Sequence, residues 1–371
     1  MFFQIQDLQG PVNQFTELQI VGNFSIDGDK SYSNDLSKLK YYKEPQDPKN
    51  VYFNLDDNKH TIYKTDENMK IDFMLQWLSE NFNQLKLQNS NNENGRWLEP
   101  EIICYRGVLT TLLSTPYDTE EGWIICAAKF KGSIYLCSFD TDAKKQRTSS
   151  QSAYQNKCTA WGYKFEQYLL TDKPSGMPDL SVPLNQNEEF YCVFKAVFGN
   201  TTLLYGAEVD GISSEHEIKD TLVGKNVELI ELKTLSFAAF TRRGEIKHER
   251  ATRILKWWLQ SHIVGIKRII CGCRNYTGIV YKIKKFTLDR LKIKFKNHWS
   301  FETCSSFCSA FFEHMKAVVS QECDKRIYQF TYCPNESRIK VQELIPSKKL
   351  EYMFLHDSYI TEANQHLLGT Q

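Results

Sequence analysis

Leu203-Leu-Tyr-Gly-Ala-Glu-Val-Asp-Gly211 reads as a strand continuing to Ile212. Side chains alternate along a strand, so Glu208 and Asp210 are expected on one face and Ala207 and Val209 on the other. Val227-Glu-Leu-Ile-Glu-Leu-Lys-Thr234 follows, with Leu229, Glu231 and Lys233 on one face and Ile230 and Leu232 on the other. Apolar residues on both faces mark a buried, central strand. A carboxylate and an ammonium at its end are costly unless paired or bound to something. Asp210, twenty residues, then Glu231-x-Lys233 brings acidic side chains and a lysine together if the two strands are adjacent. Carboxylate oxygens are hard ligands suited to Mg²⁺ or Mn²⁺. A metal held there activates water and neutralises charge at phosphorus, with the lysine beside it; Glu208 is placed to reach a second ion. Cross-strand salt bridges from Lys233 to Glu208 or Asp210 would give the same spacing.

Outward from this pair, Glu17–Phe24 and Val51–Leu55 read as extended, and Met69–Asn83 has helical spacing. The Asn- and Gln-rich stretch Gln84–Gly95 reads as an exposed loop. Strands are expected at Ile102–Leu113, Gly122–Phe130 and Ser133–Phe139, then a helix at Lys157–Leu170. Asp172–Glu189, with three prolines and a glycine, is a connection inside one domain, because acidic residues of interest lie on both sides of it. A helix from Glu245 to Ile263 carries a polar stripe of Glu249, Arg253, Lys256 and Gln260, which a solvated face would also explain. Strands at Ile266–Ile270, Gly278–Lys284 and Leu291–Phe295, a helix at Ser305–Val319 and two last strands complete the reading. The class is α/β (α+β), in one domain spanning 1–371. Lys282, Lys284, Lys285, Lys292, Lys294 and Lys296 alternate with apolar residues; a basic wall or aggregation-blocking edge lysines would both look so.

Composition narrows the function classes. Net charge is +1, so no global basic field advertises nucleic acid, and any contact must be local. The eleven cysteines contain no zinc framework. Their odd number favours reduced thiols. The start MFFQIQDLQG has no basic n-region or long apolar core, and no apolar run of about 18 residues predicts a membrane span.

Five segments, in order, resemble the DXO family of RNA decapping nucleases and 5′–3′ exoribonucleases. Cys104-Tyr-Arg-Gly-Val-Leu-Thr-Thr-Leu-Leu-Ser-Thr-Pro-Tyr117 resembles its arginine motif, and Trp161-Gly-Tyr-Lys-Phe-Glu-Gln-Tyr168 its glycine–aromatic–glutamate motif. Gly206-Ala-Glu-Val-Asp210 and Glu231-Leu-Lys233 resemble its E-x-D and E-L-K motifs, and Lys256-Trp-Trp-Leu-Gln260 its lysine–glutamine helix. Weaker similarity extends to Lys40-Tyr-Tyr42.

The resemblance implies two twisted mixed β-sheets flanked by helices, an active-site pocket between the sheets, and kinship with PD-(D/E)xK nucleases. It implies two Mg²⁺ or Mn²⁺ ions on Glu166, Glu208, Asp210, Glu231 and the carbonyl of Leu232. Lys233 and Gln260 would contact the scissile phosphate. Arg106, the backbone of Tyr105 and Gly107, and Lys40 would hold the RNA 5′ end. The implied reactions remove incomplete or nicotinamide-dinucleotide caps and release pyrophosphate from 5′ triphosphates, with 5′–3′ degradation of monophosphate RNA. A non-catalytic role steadying a 5′–3′ exoribonuclease partner is the alternative, and the implied location is the nucleus, with the cytoplasm second. Two positions depart from the pattern: Thr111 stands where many members carry lysine, and Gly211 where cysteine is common.

Overall fold

The computed structural model describes residues 2–57, 61–64, 70–87, 95–347 and 350–368. Two mixed sheets form the frame. The larger runs Phe2–Gln4, Arg338–Leu344, Ile327–Cys333, Trp123–Phe130, Ser133–Phe139, Ile102–Tyr105, Thr201–Glu208, Glu189–Phe198, Phe15–Ile26, Tyr32–Ser33. The smaller runs Phe53–Asn54, Ile279–Thr287, Arg268–Arg274, Glu228–Ser236, Gly211–Ser213, Tyr41–Tyr42, Leu170–Thr171. Each mixes parallel and antiparallel ladders: Thr201–Glu208 lies parallel to Ile102–Tyr105, and Glu228–Ser236 parallel to Arg268–Arg274.

Helices fill three layers around them. Arg106–Ser114, Ala251–His262 and Phe301–Val318 share one core with both sheets, in which Ile102, Phe194 and Tyr205 of the larger meet Leu229, Leu235 and Ile269 of the smaller. Asp72–Leu85 covers the opposite face of the larger sheet. Ala153–Leu169 covers the outer face of the smaller one. It starts from a capping box between Ser152 and Gln155 and lays Trp161, Phe165 and Leu169, four apart, against Ile230, Leu232 and Ile270. Among the described residues no helix is long and apolar enough to cross a membrane.

Several expected elements differ. Ile102–Leu113 is a strand only to Tyr105; a helix starts at Arg106. Val108, Leu109, Leu112 and Leu113 form one helical face, and Thr110 bonds back to the carbonyl of Arg106 at 3.1 Å. Leu291–Phe295 belongs to a helix, Leu288–Phe295, whose start is capped by Thr287. Its Leu288, Leu291 and Phe295 are buried at helical, not alternating, spacing. Lys292 and Lys294 therefore lie on that helix and pair with Glu302 and Glu245, while Lys285 of the strand pairs with Glu44. The helix after Glu245 begins only at Ala251, behind a short turn of 3-10 helix. Asp357–Leu368 is a further helix beyond the last strands. Met69 and residues 88–94 of the expected Gln84–Gly95 loop lie outside the described residues.

Candidate active site

The strand expected over Leu203–Ile212 is two strands. Thr201–Glu208 ends in the larger sheet and Gly211–Ser213 starts in the smaller, so Val209 and Asp210 form the crossing between sheets. The single strand is lost but its alternation is kept: Glu208 and Asp210 both face one cavity, while Ala207 and Val209 are buried in the core. The crossing brings Glu208 and Asp210 beside Glu228–Ser236, which pairs with Gly211–Ser213 only as far as Ile230. Beyond Ile230 no described strand pairs that edge, and the Leu232 N–H donates instead to Asp210 Oδ2 at 2.6 Å. A strand residue's N–H and C=O face the same edge, so the Leu232 carbonyl also points to the Asp210 side.

Gly211 fits this junction because a Cβ there would lie 2.8 Å from Leu170 Cδ2 and 3.0 Å from the Lys40 carbonyl oxygen. The close approach lets Ile212 N–H bond Lys40 O at 2.9 Å, which puts Lys40 at the site. Its ammonium pairs with Asp172 at 2.5 Å.

Glu166, Glu208, Asp210 and Glu231 act on one another electrically, and each is perturbed. Burial first, then Asp210 and Glu208, drive Glu166 well above the usual carboxylate range. Burial and then Glu189 push Glu208 up to about 7, and burial and then Glu231 push Asp210 up to about 6. Glu231, 2% exposed, goes the other way. Burial opposes its charge, but Lys233 at 2.5 Å and Arg106 at 3.4 Å outweigh it and hold the carboxyl below its ordinary value. Burial likewise opposes the Lys233 charge, and Glu231 and Asp210 raise its pKa in spite of it.

Arg106 opens its helix at the centre of this group, and the same guanidinium nitrogen reaches the Gln260 carbonyl oxygen at 3.4 Å. Gly107 beside it is exposed, with open space where a side chain would go. The Tyr105 ring instead packs into the core against Tyr191, with 5.6 Å between ring centroids. All the expected residues therefore fall in one region, with only the backbone of Tyr105 available.

Glu166, Glu208 and Asp210 line a cavity of about 180 Å³ at the seam of the two sheets, with Lys40, Thr171 and Phe190. Sequence reasoning missed Glu189, which lies on its wall, is 8% exposed, pairs with Lys64 and is the main charge on Glu208. It was legible only as the end of a connection, because its partner Lys64 is distant in sequence.

Among the described residues no three acidic, histidine or cysteine side chains stand close enough to enclose a cation as they are. The reason is visible in Glu231, which is turned onto Lys233 and Arg106. Four carboxylates and an in-facing carbonyl nonetheless make an all-oxygen donor set of the kind Mg²⁺ and Mn²⁺ take, and crowding that suppresses their ionisation is what a cation relieves.

A family model described as RAI1-like PD-(D/E)XK nuclease matches residues 17–360. The decapping and exoribonuclease protein of Bos taurus is 31% identical over 366 residues, covering 96% of this chain and 88% of the relative. The Homo sapiens protein of the same name is 30% identical over 369 residues, with the same shares. Among solved structures, Candida albicans Rai1 in complex with pU5-Mn²⁺ superposes with a TM-score of 0.80 at 17% identity, over 98% of this chain and 99% of that one. Scheffersomyces stipitis Rai1 in complex with (3'-NADP)+ and calcium ion gives 0.79 at 18% identity, over 96% and 98%.

Proposed function

This chain belongs to the RAI1-like PD-(D/E)XK nucleases, and from that premise we propose that it is a divalent-metal-dependent hydrolase of RNA 5′ ends. In this reading residues 1–371 work as one nuclease domain. It removes incomplete and nicotinamide-dinucleotide caps and 5′ pyrophosphate, and degrades monophosphate RNA from the 5′ end. The names of the relatives, decapping and exoribonuclease proteins, support this, as do the metal and nucleotide ligands named for the solved neighbours. The single observation that carries it is the convergence of Glu166, Glu208, Asp210, Glu231 and Lys233 on the seam of the sheets.

Glu166, Glu208, Asp210, Glu231 and the Leu232 carbonyl would hold two Mg²⁺ or Mn²⁺ ions. Ions held there would lower the pKa of a bound water so that hydroxide is available as nucleophile, and would offset the charge that gathers at phosphorus. Arg106 and Lys233 now neutralise Glu231; with that carboxylate engaged by a cation, both are free to turn to phosphate oxygens. Gln260, fixed by its carbonyl to Arg106, and Lys40 complete the grip on the 5′ end. The nucleus is the proposed site of action. Pairing with a 5′–3′ exoribonuclease would be a role beside catalysis, tested by co-purification.

The experiment is incubation of the purified protein with 5′-triphosphate, nicotinamide-dinucleotide-capped and 5′-monophosphate RNA in Mg²⁺ or Mn²⁺. Products absent from a Glu208→Ala/Asp210→Ala control are expected. No product from any substrate overturns the proposal.

A further inference from the structure

Past the carboxylates the free edge of Glu228–Ser236 continues between two helices. Ala153–Leu169 presents Glu166, Gly162 and Cys158 at four-residue intervals, one helical face. A Cβ on Gly162 would meet nothing within 4 Å, so this wall is hollow at its middle. The opposite helix, Ala251–His262, presents Gln260, Lys256 and Arg253, with Lys256 acting on Glu121.

Arg274 stands at the far end. It is 8% exposed, yet no carboxylate pairs with it among the described residues. Its guanidinium lies 4.5 Å over the Trp161 ring and contacts Cys158 Sγ at 3.3 Å, Tyr154 Oη at 3.5 Å and the Asn275 carbonyl at 3.2 Å. Its Nε is buried without a hydrogen-bond partner. Asp56, which accepts from the Trp161 indole at 3.1 Å, is also occupied by Lys157 at 2.8 Å. Arg253 also lacks an acidic partner among the described residues; desolvation and then the cations Arg250 and Arg274 lower its pKa. Arg253, 5.4 Å over the Trp257 ring, and Arg274 are near enough to repel each other, and with no acidic partner for either among the described residues they are an unmet demand for negative charge.

Their position relative to the site follows from spacing. Arg253 lies two helical turns before Gln260, about 10 Å. Arg274 pairs with Ser236 and Cys271 with Lys233, which places Arg274 about 10 Å along the sheet from Lys233. For a strand stacked at helical rise, about 3.4 Å per phosphate, that is about three nucleotides. The cavity on the other side of the carboxylates suits this chain poorly, because Asp172, Asp179, Glu188 and Glu189 line it against Lys38 and Lys40.

We infer that Arg253 and Arg274 form a phosphate-binding track for the single-stranded RNA chain downstream of the cleaved bond. The inference rests on the RNA 5′-end reading above. Guanidiniums grip phosphate oxygens, and Tyr154, 46% exposed at the same place, offers a face for a base.

The test is equilibrium binding of two 5′-phosphorylated RNAs, a 12-mer and a dinucleotide, to the full chain in EDTA. The dinucleotide's one phosphodiester is the scissile one, so it has no phosphate for the track. Arg253→Gln, at an exposed position, is expected to weaken 12-mer binding ~3- to 10-fold and flatten the log–log salt slope by about 0.7. Adding Arg274→Gln doubles the change in slope, and dinucleotide binding stays as in the unsubstituted chain. Unchanged 12-mer affinity and slope in Arg253→Gln overturn the track, as does equal weakening of the dinucleotide. Arginine-dependent 12-mer binding in a chain that hydrolyses no 5′ end would leave the track standing and remove the proposed activity.

Discussion

The main-chain N–H of Leu232 donates to Asp210 Oδ2 at 2.6 Å, tying the crossing between the sheets to the free edge of the central strand. Asp210 thus holds its place by accepting from a main-chain N–H, which an amide oxygen can also do. Asp210→Asn should keep the crossing and lose the charge. Because Asp210 is pushed up to about 6 in the metal-free protein, removing its charge relieves crowding there. The expected result is an unfolding temperature equal to or above that of the unsubstituted chain without metal, with kcat/KM at least ~10²-fold lower in Mn²⁺. A Tm drop of several degrees with activity intact would count against it.

The raised carboxyls fix the direction of a pH effect. Asp210 and Glu208 are raised to about 6 and about 7 from ordinary values of 3.8 and 4.5. The folded chain therefore holds these protons more tightly than the unfolded one. Their stabilising contribution is complete below about pH 4 and is lost as pH rises through 6 and 7. Metal binding needs the ionised forms and strengthens over the same range. Thermal unfolding should show a larger Mn²⁺-induced Tm rise at pH 8 than at pH 5.5, and the difference should vanish in Glu208→Gln/Asp210→Asn. A pH-independent Mn²⁺ shift in the unsubstituted chain contradicts this.

Lys233 is the cation that keeps Glu231 ionised without metal. Lys233→Met leaves a carboxylate 2% exposed with only the longer Arg106 contact. Breaking such a buried pair costs about 3–5 kcal/mol, and a bound cation would replace the missing charge. Urea unfolding should show the variant strongly destabilised in EDTA and partly rescued by Mn²⁺, with kcat reduced in both metals. Equal destabilisation with and without Mn²⁺ would show that no cation reaches Glu231.

Much of this site was legible because its chemistry sits on short-range patterns. Glu231 and Lys233, two apart on an apolar strand, announce a costly buried pair whatever surrounds them. What periodicity missed was where the chain changes partner. Leu203–Ile212 reads as one strand because nothing local reports that Val209 and Asp210 cross from one sheet to the other. The same limit hid the start of the helix at Arg106, where Val108, Thr110 and Thr111 favour strand and tertiary packing overrides them. Glu189 and Arg274 escaped because their importance lies in what they lack or share across the fold.

Gly206 shows how the arginine motif and the E-x-D motif are locked together. It pairs with Tyr105 across the parallel ladder, and a Cβ on it would lie 2.9 Å from two carbons of the Tyr105 ring and 3.4 Å from Met74 Sδ. The ring is flanked by Tyr191, so the clash has no cheap exit. Gly206→Ala should therefore displace Tyr105 and, with it, the first residue of the helix that aims Arg106 at Glu231. The expected cost is ~1–3 kcal/mol of stability, and KM for 5′-monophosphate RNA should rise more than kcat falls, because binding geometry moves before the carboxylates do. Shortening the ring's side chain in Gly206→Ala/Tyr105→Leu should recover part of the lost stability, since the two sites share one contact. Chemical denaturation of the single and double variants reads this coupling directly, and simple additivity of the two changes would show that the ring and the glycine are not in register as described.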